Sequence, residues 1–346
     1  MVPPKLRNAN PVRNRNGQKR SHDPVKESKS KRRRREESSV SSEDEIEDLE
    51  SLEFLNTMKS FFQKACKLYK MTRLYKVVGV DNFTRYERRL TLALHEKCAY
   101  QSNKKDWTYQ VNMKRYHHVK RRDEDGETIY FEVCRRCLED REENDEWNVI
   151  LRGLVTCRNS KRKLSSNSSV SNSPVLLIAG PETVFSSIRA ELEEIFSCYI
   201  ISLKTLSSLN LKIIFGRWII YCINNDLLRH NTKVDIEFCV NSRGKLITYE
   251  GSIPIWHFEN AIKLDASSSA NISTMWYNIF ESLDKSSIGT GFHTSVSKIK
   301  SPTMRVAKEG VIRAKVNTED ILFELLESLT WLVESGVSSK TDDVTS

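Results

Sequence analysis

Apolar and polar positions alternate along this chain in two rhythms, and the rhythm changes many times. Between Leu52 and Tyr69, the residues Leu55, Met58, Phe61, Phe62, Ala65 and Leu68 recur at helical spacing and predict an amphipathic helix. Met71–Val80 then reads as a turn into a strand at Leu74–Val78. Four segments rich in β-branched and aromatic residues follow, at Tyr86–Cys98, Trp107–Tyr116, Thr128–Cys134 and Asn148–Cys157, and predict successive strands. Asp125-Gly126 lies between two of them and is a hairpin signal. The charged segment Arg135–Glu146 reads as an exposed loop or short helix.

The second half opens with a buried strand, Val175–Ala179, then Gly180-Pro181 and a helix with Val184, Phe185, Ile188, Leu192 and Ile195 on one face. Cys198–Leu203 is a short strand. The following helix, Leu206 to Ile223, carries Leu206, Leu209, Ile213, Phe215, Trp218, Ile219, Tyr221 and Ile223 over most of its circumference, the pattern of a buried helix. Asn210, Lys212 and Arg217 interrupt it, so it is not a membrane span, which needs roughly 20 apolar residues. Val234–Val240 and Leu246–Tyr249 predict an antiparallel hairpin with one solvated face. Helices are predicted from Pro254 to Leu264 and from Ile272 to Leu283. Phe292–Val316 reads as strands with a turn at Glu309-Gly310, and a last helix is capped near Asn317 or Thr318.

These elements predict an α+β fold, with a largely antiparallel sheet and helices packed on it. The expected organisation is a disordered tail over 1–51, an N-terminal α+β region over 52–163, a Ser/Asn linker or loop over 164–173, a C-terminal α+β region over 174–336, and a short disordered tail over 337–346. The linker is short enough for both regions to share one sheet.

Charge changes the picture mainly at the N-terminus. The formal net charge is +9, but residues 1–35 hold +11, residues 36–50 hold −8, and the remainder is mildly basic at +6. The cluster Lys29, Lys31, Arg32, Arg33, Arg34 and Arg35 reads as a nuclear import signal. Nonspecific phosphate binding and a plain solvated charge run are the alternatives. The Ser-rich acidic block Ser38–Glu50 resembles acidophilic kinase sites, or folds back on the basic cluster. Eight cysteines with no signal peptide predict reduced thiols, with Cys198, Cys222 and Cys239 as small core residues.

Candidate chemistry is sparse. Cys134 and Cys137 form the one Cys-x-x-Cys, with His117, His118 and Cys157 as the nearest further zinc ligands at irregular spacing. The plainer reading is two cysteines at a strand end. Gly180-Pro181 lacks the glycines and the Lys-Ser/Thr of a phosphate loop. His293 is the most enzyme-like histidine, but strand alternation puts it on a solvated face. No nucleophile elbow or metal triad is present, so no cofactor, metal or catalytic residue is expected. Arg305, Arg313 and Lys315 alternate along one hairpin face and form a candidate nucleic-acid-binding row. The alternative is an edge kept polar against aggregation.

Two blocks carry a resemblance. The first is Leu68, Tyr69, Thr72, Leu74, Tyr75, Lys76, Tyr86, Arg88 or Arg89, and Leu90; the second is FSCYIISLKTLSSLNLKIIFGRWIIYC, beginning at Phe196. With weaker matches at Val234–Leu264, Phe292–Val316 and the final helix, they resemble the centromere protein L family of inner-kinetochore subunits. The resemblance implies a non-catalytic scaffold in the nucleus, at the centromere and kinetochore, serving chromosome segregation in mitosis. It implies a curved, largely antiparallel sheet. It also implies a heterodimer with a centromere protein N-like subunit through sheet-to-sheet contact, further inner-kinetochore partners, and proximity to centromeric DNA or nucleosomes. No membrane or small-molecule substrate is implied. On this reading the hairpin Met304–Val316 receives a partner strand, with Met304, Val306, Ile312 and Val316 as partner-binding residues. A stand-alone nuclear DNA- or RNA-binding protein is the alternative, and an enzyme with metal at Cys134 and Cys137 a third.

Overall fold

In the computed structural model, the described residues are 42–72, 83–99, 107–116, 128–137, 147–156, 174–203, 205–242, 245–264, 272, 274–279 and 294–335. Ser42–Ser346 forms one compact unit. Its elements in order are α1 (Ser42–Gln63), β1 (Cys66–Met71), α2 (Phe83–Ala99), β2 (Trp107–Tyr116), β3 (Thr128–Cys137), β4 (Asn148–Thr156) and β5 (Val175–Ala179). Then come α3 (Glu182–Ile195), β6 (Ile200–Ser202), α4 (Ser208–Asn224), β7 (Lys233–Ser242), β8 (Lys245–Pro254) and α5 (Ile255–Leu264). A helical segment α6 over 274–279 precedes β9 (Thr294–Lys300), β10 (Met304–Ala307), β11 (Val311–Ala314) and α7 (Glu319–Ser335).

The eleven described strands make one open sheet, ten of them in the order β2-β3-β4-β5-β1-β11-β10-β9-β7-β8 with β6 added beside β1, and every pairing is antiparallel. The expected α+β architecture is thus observed. β1 is the seam. One of its edges is paired by β5, and the other is shared: Cys66 and Lys67 pair with β11, while Tyr69, Lys70 and Met71 pair with β6. A central strand buried on both faces explains why Leu68, Tyr69 and Met71 are all buried, a run without simple alternation. It also joins the two halves of the sequence in one sheet.

The two faces are covered by different helices. On one face α1, α4, α5, α6 and α7 pack over Leu68, Leu177, Ile236, Ile299, Val306 and Ile312. On the other, α2 and α3 pack over Tyr69, Phe131, Leu151, Leu176 and Ile178. This second cover ends at the seam, so the sheet from β11 to β7 turns Arg313, Arg305 and Lys300 toward solvent.

α4 starts with Ser207, whose side chain accepts the Asn210 N–H at 3.1 Å, a regular N-cap. Leu211, Ile214, Phe215, Trp218, Ile219 and Cys222 form its inner face. Burial on this scale makes Trp218→Ala cost about 3–5 kcal/mol. The helix is not buried all round: Leu209 is 58% exposed. Cys198, Cys222 and Cys239 are buried core thiols, and burial pushes Cys198 and Cys222 up to about 11.

Four further expectations are corrected. Tyr86–Cys98 is helix, not strand, because Leu90, Ala93, Leu94 and Cys98 are the buried set, a period near 3.6. The first helix ends at Gln63, and Leu68 and Tyr69 belong to β1. It begins at Ser42, inside the stretch expected to be disordered to residue 51. β3 continues to Cys137, taking in part of the segment expected to be a loop. Leu74–Val78, Asp125-Gly126, the linker 164–173, the C-terminal tail 337–346, and much of Ile272–Leu283 lie outside the described residues.

Candidate functional site

The hairpin β10–β11 was the expected docking point for a partner strand, and here the structure corrects the sequence. Met304, Val306, Ile312 and Val316 are each 2% exposed or less. β10 lies between β9 and β11, and β11 is paired by β10 and β1, so backbone pairing occupies both sides of the hairpin. Its tip is tied in as well. The Gly310 carbonyl accepts Leu68 N–H at 2.9 Å, the Lys308 carbonyl accepts Leu206 N–H at 2.7 Å, and Lys308 N–H donates to the Ser297 carbonyl at 2.8 Å. Alternation identified an apolar face; it did not say whether a core or a partner covers it.

A groove of about 840 Å³ lies along the same hairpin, lined by residues 300–305 and 313–317 from both of its faces. Arg305 stands opposite Arg313 on β11 and opposite Lys300 on β9, so three strands contribute one cation each to a row across the sheet. Lys315 follows β11, and the end of α1 adds Lys59, Gln63 and Lys64. Among the described residues, six Lys or Arg therefore line the groove, and no Asp or Glu does. The sequence-predicted residues Arg305, Arg313 and Lys315 are brought together. Lys59, Lys64 and Lys300 were not singled out by sequence, since nothing in their spacing shows that the end of α1 meets the β9–β10 turn.

The floor of the groove is cross-braced by hydrogen bonds. Ser301 N–H donates to the Met304 carbonyl at 2.7 Å, closing a four-residue turn with Pro302 second, where its fixed φ is favourable. Lys315 N–H donates to the Thr303 carbonyl at 2.8 Å. The Trp218 indole N–H donates to Thr303 Oγ1 at 3.1 Å, anchoring the turn to α4. Among the described residues, acids stand at the flank. Lys300 Nζ lies 3.5 Å from Asp235, and Lys298 Nζ lies 2.7 Å from Glu237. The Lys298 contact, with the Ser297 hydroxyl, holds the Glu237 carboxyl below the usual carboxylate range.

The two ends of the sheet differ. At β2, side chains of α2 occupy the edge: Tyr109 N–H donates to His95 Nε2 at 3.3 Å, Val111 N–H to Thr91 Oγ1 at 3.2 Å, and Met113 N–H to Glu87 Oε1 at 2.7 Å. At β8, no described strand pairs with the outer edge. Lys245, Leu246, Ile247 and Thr248 are exposed, with Leu246 at 62% and Ile247 at 53%. Tyr249 stacks on Phe238 at 5.0 Å, stiffening the hairpin behind them. Among the described residues β8 is thus an edge strand, and it exposes Leu246 and Ile247 beside Lys245 and Glu250.

The metal reading of Cys134 and Cys137 has no support in their placement. Three residues apart on one strand, they lie on opposite faces, with Cys134 buried and Cys137 half-buried. Among the described residues, no group of three or more His, Cys, Asp or Glu is placed to hold a metal ion. His117, His118, Cys157 and His293 lie outside the described residues, as does the basic cluster Lys29–Arg35. No described helix is long and apolar enough to cross a membrane.

No protein-family model matches the sequence, and no curated protein matches it.

Proposed function

We propose that this chain is a non-catalytic scaffold subunit of the inner kinetochore. It pairs with a centromere protein N-like subunit and lies against centromeric DNA in the nucleus. The sequence blocks at Leu68–Leu90 and Phe196–Cys222 support the family reading. The observation that carries the scaffold is the edge of β8, paired by no described strand and exposing Leu246 and Ile247, because an edge strand with exposed apolar residues is a template for a partner strand. The partner strand therefore adds to β8, extending the sheet beyond its eleven strands.

The test is affinity purification of the tagged full chain from nuclei, with mass spectrometry of what remains bound in high salt. A stoichiometric centromere protein N-like subunit, with other inner-kinetochore subunits, is the expected result. Recovery of the chain alone overturns the reading.

The groove favours a second reading, a stand-alone nuclear DNA- or RNA-binding protein. Six cations without a lining carboxylate suit a phosphate backbone rather than a base edge. On this reading the purified chain alone binds duplex, and log K falls with log salt by about 0.9 for each phosphate contacted. Tight duplex binding with no protein partner recovered would put this reading first.

A further inference from the structure

The closure of the β2 edge is built from one face of one helix. Glu87, Thr91 and His95 are spaced four apart on α2, a rise of about 6 Å per step. Met113, Val111 and Tyr109 are spaced two apart on β2, a rise of roughly 6.7 Å per step. The near match lets three successive helix turns accept three successive outward-facing N–H groups, with α2 running antiparallel to β2. Thr91 is the middle acceptor.

The sequence around that acceptor is Arg88-Arg89-Leu90-Thr91-Leu92. Arginines two and three residues before a hydroxyl, with an apolar residue after it, make the pattern an arginine-directed Ser/Thr kinase reads. Guanidinium groups pair with carboxylates of the kinase cleft, and the following residue enters an apolar pocket. Two of these side chains are poorly explained by the fold itself. Arg88 is exposed, and Leu92 is 61% exposed beside Leu90, Ala93 and Leu94, which supply the helix's buried face.

We propose that Thr91 is a phosphorylation site for an arginine-directed Ser/Thr kinase, and that its phosphate releases α2 from the β2 edge. In the transfer, a bond forms between Thr91 Oγ1 and the γ-phosphorus of ATP. The bond from that phosphorus to the β–γ bridging oxygen breaks, ADP leaves, and the hydroxyl proton passes to the kinase base.

The docked geometry has no place for the product. Thr91 Oγ1 lies 3.2 Å from Val111 N, so a phosphate on that oxygen has to displace the strand or the helix. It adds a charge of about −1.5 to −2. That charge sits one turn from Glu87, which already accepts Met113 N–H, and like charges four residues apart on a helix repel. The phosphate also competes for Arg89, whose Nη2 holds Glu191 at 2.7 Å and Glu194 at 2.8 Å on α3. The contacts tying α2 to β2 and to α3 are thus weakened by one modification. A kinase reads an extended segment, so α2 opens locally before transfer, and the phosphate then holds the open state by blocking its return.

The test uses the full chain, ATP and the catalytic subunit of cyclic-AMP-dependent protein kinase as the probe. Mass spectrometry locates the phosphate, and amide hydrogen exchange follows Tyr109, Val111 and Met113. The expected result is phosphate on Thr91 and exchange at Val111 faster by tenfold or more, the loss of about 1.4 kcal/mol of local protection. Arg88→Ala leaves the three edge hydrogen bonds in place and is expected to lose the phosphate. Thr91→Ser is expected to keep both the unmodified protection and the response. Absence of phosphate on Thr91 overturns the proposal, and so does phosphate on Thr91 with unchanged exchange at Val111.

Discussion

Arg305 and Arg313 are directly opposed across the β10–β11 hairpin, two cations at one rung of an antiparallel ladder. Like charges in that position destabilise a sheet by a few tenths of a kcal/mol up to about 1 kcal/mol. Opposite charges at the same rung were the obvious structural choice, and they do occur nearby, where Lys298 pairs with Glu237. Lys300 faces Asp235 on β7, but the Arg305–Arg313 rung has no such partner within the hairpin and does not serve the sheet's own stability. Substituting Arg313→Gln should leave thermal stability equal or slightly raised. Duplex DNA affinity should fall, with the salt slope reduced by about one unit per lost phosphate contact. Fluorescence anisotropy across a salt series checks both. An unchanged slope would remove Arg313 from the contact surface.

Gly310 is held in the left-handed region at φ 72°, and a Cβ there would meet the Leu203 carbonyl oxygen at 2.7 Å. Both constraints act at the point where the hairpin tip binds β1 through Leu68. Gly310→Ala should cost about 1–3 kcal/mol, from backbone strain and the displaced contact. Differential scanning calorimetry of the full chain gives the value; a loss below about 0.5 kcal/mol would mean the tip relaxes freely.

The course of the chain was legible where one periodicity held alone. β7 shows it: Val234, Ile236 and Phe238 are buried, and Asp235 and Glu237 are half-buried beside Lys300 and Lys298. It failed where two periods coexist. Leu90, Leu92 and Leu94 alternate as a strand would, while Leu90, Ala93, Leu94 and Cys98 satisfy a helix, and only the exposure of Leu92 shows which applies. At Leu68–Tyr69 the residues follow α1 without a breaker that sequence alone makes decisive, and the central position of β1 buries both faces. The groove was half legible. Arg305, Arg313 and Lys315 share a strand face by alternation, but Lys59 and Lys64 reach it through tertiary packing, which local spacing does not encode.

Ile247 tests the sheet edge. It is 53% exposed, so Ile247→Lys removes little buried surface and should change the melting temperature by no more than about 2 °C. A lysine on an edge strand hinders addition of another strand. Recovery of a stoichiometric partner from nuclei should therefore drop at least tenfold, while duplex binding through the groove stays as it was. Full partner recovery with this variant would move the joint away from β8.

Glu237 links the groove's flank to pH. The Lys298 ammonium, then the Ser297 hydroxyl, depress its folded-state pKa, outweighing burial, which acts the other way. A depressed carboxyl contributes stability that is fully present above its unfolded value near 4.3, and loses it as pH falls through the lower folded value. Glu237→Gln removes that dependence. Its stability relative to the unaltered chain should be lower by up to about 1 kcal/mol at pH 7, as expected for a partly exposed pair, and the gap should close below pH 4. Urea unfolding at pH 7, 5 and 3.5 gives the three differences. A gap that stays constant down to pH 3.5 would show that Glu237 acts there by packing, and that its charge contributes nothing to holding Lys298 beside the groove.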